Sequence, residues 1–394
     1  MGSHMGALLA YFLSKLIRVG RLEVECADGT VRTFGNGAGP RLGVRIADRA
    51  AEWQIMFDPT LAFGELYMDG RLQVTHGDLY DVIELGERNL LLSGGPRWLV
   101  YLDKLRIALR YFHQRNDRPR ARRNISSHYD LDHRLYELFL DADQQYSCAY
   151  FEHPGQSLEE AQLAKKRHIA AKLRLDRPGL RVLDIGCGWG GAAQFMAECY
   201  GATVTGVTVS KNQQLTAQKR CAGLPVDIML QDYRSMSGNF DAIYSLGMFE
   251  HVGVRNYRTY LKKAHELLRP DGLFLLHTIG SNRSSVATDP WIEKYIFPNG
   301  QIPSLAQIAA AAEGLWVIED VHSFGVDYDR TLMAWSANFE QHWPDIAARY
   351  GERFRRMWHF WLMASAANFR ARKTQLWQIV LSPKGVAGGY HAVR

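Results

Sequence analysis

The sequence predicts an α/β protein in two parts: a doubly wound sheet with helical insertions, preceded by a small accessory domain of mixed α+β structure. Three observations carry that prediction. From Arg181 onward, short apolar runs alternate with helix-like stretches at regular spacing, the pattern of βαβ units feeding one parallel sheet. One of those runs, Val182-Leu183-Asp184-Ile185, leads into Gly186-Cys187-Gly188-Trp189-Gly190-Gly191 and then a helix, which is how a nucleotide-type site is built at the carboxyl end of a strand. Residues 6–95 lack this alternation and carry hairpin-like pieces instead.

Taken in order, residues 1–5 read as the remnant of an expression tag and are set aside. Residues 6–95 form the accessory domain. There Arg21–Phe34 alternates as a hairpin turning at Asp28-Gly29, Val44–Phe57 reads as a further strand region, and Leu61–Asp69 reads as a helix closing at Gly70. Residues 96–126 are a linker. Within it, Pro96–Gln114 places Leu102, Leu105, Leu109 and Phe112 on one helical face, a pattern that suits an anionic membrane surface and equally an ordinary packed helix. Arg115–Asn124, dense in arginine and broken by Pro119, marks the boundary. Residues 127–394 form the α/β domain. Its strands are expected at Arg181–Ile185, Thr203–Thr208, Val226–Leu230, Phe240–Ser245 and Leu273–His277, with late ones near Trp316–Val321 and Leu376–Leu381 completing the parallel sheet. Helices are expected at Leu135–Leu140, Leu158–Leu173, Ala192–Tyr200, Asn212–Ala222 and Asn256–Leu268.

The chain of 394 residues, 47% hydrophobic, is long enough for both domains. Its net charge of +6 suits nucleic acid or an anionic membrane, but no zinc-finger or RNA-recognition signature supports nucleic acid. No uncharged apolar run reaches membrane-spanning length. Five cysteines without paired spacing predict free thiols in a reducing cytoplasm, and no Cys/His spacing predicts a metal site.

Gly186, Gly188 and Gly191 satisfy the G-x-G-x-x-G spacing of a dinucleotide loop, so spacing alone does not choose the cofactor. Asp184 does. A carboxylate at the strand tip repels a pyrophosphate but suits S-adenosylmethionine, which carries an ammonium and a sulfonium and no phosphate. Asp184–Gly190 is therefore read as an S-adenosylmethionine loop, against the plainer reading of a glycine turn that only lets helix and sheet pack closely. Ligand groups belong at the carboxyl ends of the strands, which selects Thr208 and Ser210, Gln231 and Asp232, Glu250 and His251, and His277–Gly280. Asp232 can accept from the adenine amino group. The second strand ends in Thr-Val-Ser rather than an acid, so the ribose falls to Thr208 or Gln213.

With these residues in view, the chain resembles the cyclopropane-fatty-acyl-phospholipid synthases and the related mycolic acid cyclopropane synthases. The resemblance rests on Tyr-Ser-Cys-Ala-Tyr-Phe (146–151), Leu-Asp-Ile-Gly-Cys-Gly-Trp-Gly-Gly (183–191), Gly-Val-Thr-Val-Ser-Lys-Asn-Gln (206–213), Gly-Met-Phe-Glu-His-Val-Gly (247–253) and Leu-Leu-His-Thr-Ile-Gly (275–280). Residues 290–300 and 327–335 match too, and Gly-Glu-Leu-Tyr-Met-Asp-Gly (64–70) extends the resemblance into the accessory domain, which points to the phospholipid-acting branch. The resemblance implies a Rossmann-like S-adenosylmethionine-dependent methyltransferase that transfers a methylene group to the cis double bond of a phospholipid acyl chain, closing a cyclopropane ring with bound bicarbonate as the base. It implies a bicarbonate cage of Cys148, Glu250, His277, the backbone of Ile279, and Tyr328. It implies cofactor contacts at Tyr146, Ser147, Gly186, Gly188, Thr208, Gln213, Gln231 and Asp232, beside Asp184. A homodimer lying peripherally on the inner face of the membrane is also implied.

That chemistry needs donors around an anionic base and a shield for a carbocation-like centre. Tyr150, Phe151, Trp291 and Phe297 are candidates for the shield. Plainer readings stand beside these: Cys148 as buried filler, Glu250 as a helix-start acid, Tyr328 as a loop anchor, His251 as a supporting residue. Three other functions compete: methylation of the alkene without ring closure, methylation of a soluble small molecule, and non-catalytic lipid binding.

Overall fold

The computed structural model describes residues 2–94, 133–285 and 288–394. The linker helix Pro96–Gln114 and the basic boundary Arg115–Asn124 lie outside the described residues. The chain divides into two compact units, one drawn from Met1–Phe112, Ala287–Pro298 and Leu332–Lys373, the other from His113–Val286, Asn299–Thr331 and Thr374–Arg394.

The accessory unit is built on a four-stranded sheet of order β2-β1-β3-β4, with β1 Leu22–Glu25, β2 Val31–Phe34, β3 Leu42–Ile46 and β4 Leu72–His76. The hairpin at Asp28-Gly29 forms as expected, with Leu22 opposite Phe34. Val44–Phe57 is not one strand region. β3 ends at Ile46, and Asp48 then accepts from the Ala51 N–H (3.0 Å), so its side chain caps the helix Arg49–Phe57. Asp58 caps the next helix, Pro59–Met68, and Asp78 caps Leu79–Ser93. A helix at Gly2–Leu16 completes the unit's own core, with Leu9, Val24, Val44, Ile46 and Leu66 buried together.

The helical insertions expected inside the α/β domain are grouped with this accessory unit. Glu65 accepts from Lys294 Nζ (2.5 Å) and Tyr295 Oη (2.7 Å), and Arg353 Nε donates to Asp69 (2.8 Å). A Cβ on Gly64 would come within 2.5 Å of the Trp291 indole. The 64–70 motif is thus the surface on which these insertions rest.

The second unit holds a seven-stranded sheet of order β10-β11-β9-β8-β5-β6-β7. Its strands are β5 Arg181–Ile185, β6 Thr203–Thr208, β7 Val226–Leu230, β8 Phe240–Leu246, β9 Leu268–Ser281, β10 Val317–Ser323 and β11 Thr374–Ser382. Successive residues face opposite sides, and both sides are covered. Leu183, Ile185, Ile243 and Phe274 pack under helices Tyr257–Leu267 and Leu305–Ala312, while Val182, Val204, Ala242 and Leu275 pack under Leu158–Lys172 and Gly191–Tyr200. The five expected central strands are parallel. The two late ones are not: β11 runs antiparallel to β9, with Gln378 opposite His277, and β10 antiparallel to β11. Apolar runs announce strands but not their direction, and an antiparallel edge on a parallel sheet is common. The strand order reverses between β5 and β8, which opens a crevice at their carboxyl ends.

Candidate active site

That crevice is a cavity of 140 Å³ lined by the 144–147 loop, the glycine loop after β5, the ends of β6 and β7, and the turn after β8. Gly186, at φ +91°, needs to be glycine twice over, because a Cβ there would also sit 2.9 Å from Met248. A Cβ on Gly191 would meet the Asp143 carbonyl at 2.6 Å. The third glycine of the dinucleotide spacing thus serves close packing, which such a loop needs with either cofactor.

Every expected cofactor residue lines this cavity: Tyr146, Ser147, Asp184, Gly186, Gly188, Thr208, Gln213, Gln231 and Asp232. Thr208 Oγ1 donates to Gln213 Oε1 (2.8 Å), so the two neutral groups at the second strand are held as a pair. Asp232 is engaged by Arg234, whose Nε and Nη2 reach its two oxygens at 2.8 and 2.6 Å. Asp184 is fully enclosed, with Tyr244 beside it, and burial pushes its pKa up to about 7. His251, one of the strand-end positions selected for ligand groups and also read as a supporting residue, lines the cavity too, and burial lowers its pKa to about 4.

The expected cage residues are not part of this lining, and all four side chains are buried. Glu250 Oε1 accepts from the Ile279 N–H at 2.7 Å. The backbone donor expected to face the anion is thus committed to Glu250. Burial pushes the Glu250 pKa up to about 7. His277 Nδ1 accepts from Gln378 Nε2 (3.3 Å), and burial drives its pKa well below the usual histidine range, so it is neutral. Burial likewise raises the Cys148 thiol well above its ordinary value, and its Sγ donates to the Ala149 carbonyl (3.1 Å). Two bonds tie the Cys148 loop to the helix start that carries Tyr328: Ala149 N–H donates to Thr331 Oγ1 (3.1 Å) and Phe151 N–H to Asp327 Oδ2 (2.9 Å). Phe324 bridges onward, its ring 5.3 Å from Tyr150 and 6.0 Å from His277.

The four rings proposed as a cation shield have other partners. Tyr150 stacks on His168 (4.3 Å) and Phe151 faces Arg330 (5.7 Å). Trp291 and Phe297 belong to the accessory unit and pack on Phe360 and Trp361 there.

Sequence reading missed Lys165. It has no exposure, and its Nζ donates to Ser147 Oγ at 2.8 Å. Burial lowers its pKa to about 7, against the pull of Asp141. Its charge also acts on both Cys148 and His277. Gln162, one turn earlier, donates to the carbonyls of Gln145 (3.2 Å) and Ser147 (3.0 Å). Among the described residues no group of His, Cys, Asp and Glu is placed to hold a metal.

A family model described as mycolic acid cyclopropane synthetase matches residues 116–379, and one for a domain of unknown function matches residues 9–90. The chain is 47% identical over 361 residues to the cyclopropane-fatty-acyl-phospholipid synthase of Escherichia coli (strain K12), covering 91% of this chain and 92% of that one. It is 32% identical over 387 residues to the tuberculostearic acid methyltransferase of Mycobacterium tuberculosis, covering 92% and 88%. Among solved structures, the cyclopropane synthase MmaA2 from Mycobacterium tuberculosis matches with a TM-score of 0.62 at 32% identity, over 66% of this chain and 97% of that one. The mycolic acid cyclopropane synthase CmaA1 complexed with SAH and CTAB matches with a TM-score of 0.61 at 33% identity, again over 66% and 97%. Fold, glycine loop and relatives converge: the chain belongs to the cyclopropane synthetase family and is an S-adenosylmethionine-dependent methyltransferase.

Proposed function

We propose that the enzyme converts the cis double bond of an unsaturated phospholipid acyl chain into a cyclopropane ring, with a bound bicarbonate as the base. The observation that carries this reading is a pair of buried groups suited to managing a proton. Glu250 Oε2 and His277 Nε2 are both enclosed and have no hydrogen-bond partner among the described residues. S-adenosylmethionine supplies the electrophilic methyl group when bound. Lys165 and Gln162 fix the 145–148 loop at which its polar end would be held.

An ionised Glu250 would repel an anionic base. With a pKa of about 7 it is largely protonated in mildly acidic solution and still shares its proton near neutrality, so Oε2–H is a donor while Oε1 is held by Ile279. Neutral His277, the Cys148 thiol and the Tyr328 hydroxyl add groups that donate without carrying charge, and none of them competes with an alkene for the methyl group. The buried setting keeps water from a carbocation-like centre on the acyl chain. The E. coli relative supports a phospholipid substrate. The reading includes peripheral attachment to the cytoplasmic face of a membrane, and a homodimer. No helix among the described residues is long and apolar enough to cross a membrane.

A second reading draws on the tuberculostearic acid methyltransferase relative: methylation that leaves a branched chain without closing a ring. One experiment separates them. Vesicles of unsaturated phospholipid are incubated with methyl-labelled S-adenosylmethionine, and the released fatty acids are analysed by mass spectrometry and proton NMR. Cyclopropane methylene signals with loss of the alkene are expected. A labelled chain bearing a methyl or methylene branch selects the second reading, and unlabelled lipid rejects both. Repeating the reaction in carbonate-free buffer should slow turnover, with recovery on adding bicarbonate.

A further inference from the structure

The accessory unit contains a cavity of its own, 230 Å³, built entirely from residues of that unit. Protein interiors are close-packed, with few voids larger than a water molecule. An apolar cavity of ~150 Å³ already takes up small apolar ligands. The walls here are aliphatic, formed by residues such as Leu13, Ile17, Val24, Ile46, Ile83 and Leu90.

Two features distinguish this cavity from loose packing. The first is Gly86, in the middle of the helix Leu79–Ser93. It lines the cavity on the same face as Ile83 and Leu90, yet a Cβ there would meet nothing within 4 Å. A glycine in a helix interior weakens the helix, and no close approach explains this one. Its effect is to leave the cavity open. The second is the polar end. Glu87, Asp289, Asn368 and Lys373 all line the cavity, and Lys373 Nζ donates to Glu87 Oε1 at 2.8 Å. The Lys373 side chain is 41% exposed, so this end reaches solvent. Glu87 Oε2 and Asn368 Oδ1 are buried acceptors with no partner among the described residues.

From this arrangement we propose that the accessory unit holds one aliphatic chain of a bilayer lipid whose head group donates hydrogen bonds, as an ammonium does. The chain lies along the leucines and isoleucines. The head meets the acceptor oxygens of Glu87 and Asn368, with the Glu87 and Asp289 carboxyls set against one lysine, a setting that repels a carboxylate head. This binding site is separate from the cofactor cavity and goes beyond the catalytic reading.

The test is calorimetric titration of the whole protein with 1-dodecylamine below its micelle concentration. Saturable one-to-one binding is expected, at least tenfold weaker in Gly86→Leu, which fills the cavity, and unchanged in Gly86→Ala. Ala364→Phe fills the same space from another helix and should weaken binding equally. Dodecanoate should bind more weakly than the amine, and Glu87→Gln should narrow that difference. Absent or non-saturating uptake by the wild type overturns the site, as does unaltered affinity in both filled variants. Dodecanoate binding as tightly as the amine overturns the head-group assignment. S-adenosylmethionine titration and the labelled-lipid assay read the other unit, so a failure here leaves the catalytic reading standing.

Discussion

Lys165 is an amine held where its charged form is disfavoured. Its ammonium is enclosed, its direct side-chain contact is the Ser147 hydroxyl, and its pKa falls to about 7. A lysine tolerated there fixes Ser147 and the loop that lines the cofactor cavity. Lys165→Met removes that donor, at a cost of about 1–3 kcal/mol for a buried polar group left unsatisfied. S-adenosylmethionine affinity should fall about tenfold, with a smaller loss in kcat. Titration of the cofactor checks this, and an unchanged affinity assigns Lys165 to folding alone. Glu250 makes a pH prediction. Its folded pKa of about 7 lies above the ordinary 4.5, so the folded state binds the proton more tightly. The associated stability is full below pH 4.5 and is lost as pH rises to 7, on the order of 3 kcal/mol across that window. Glu250→Gln keeps an acceptor for Ile279 and cannot ionise. Its melting temperature should overtake that of the wild type as pH rises from 5 to 8, while turnover drops. Parallel melting curves across that range would contradict the assignment.

Among elements, the 146–151 loop and the helix start at Asp327–Thr331 form one clamp. Thr331→Val removes the acceptor for the buried Ala149 N–H with little change in shape. We expect melting to fall by a few degrees and turnover by ten- to a hundredfold, measured by fluorimetry and by the labelled-lipid assay. Element identity was largely legible beforehand, because buried parallel strands and their covering helices write apolar runs of characteristic length. Strand direction was not, since β10 and β11 carry the same apolar signal whichever way they run. Asp48 was a missed start signal: a capping side chain ends a strand region as firmly as a proline does. Lys165 was hidden for another reason. The helix Leu158–Lys172 is buried on nearly all sides despite a polar sequence, so no apolar stripe marks which face turns inward. The 64–70 motif was visible as a resemblance, but its role depends on insertions more than 200 residues away.

For the molecule as a whole, the proposed peripheral attachment draws on the net charge of +6 and on exposed apolar groups of the accessory unit. Trp53 and Phe57 stack at 5.3 Å on one side of a helix, 42% and 66% exposed, and Leu92 is 69% exposed. Electrostatic attraction to an anionic bilayer is screened by salt, whereas aromatic insertion is not. Pelleting with anionic vesicles should therefore be strong at low ionic strength, weaken as salt rises, and level off above zero. Equal pelleting at every salt concentration, or none at low salt, would contradict this.

Arg394 grips Asp320 through both terminal nitrogens at 2.7 and 2.6 Å, over the fully enclosed Lys172 ammonium. The guanidinium works as a lid on that buried ion, so Arg394→Ala should melt earlier than the wild type, and Arg394→Lys, which keeps the charge but loses the two-pronged grip, should fall between them.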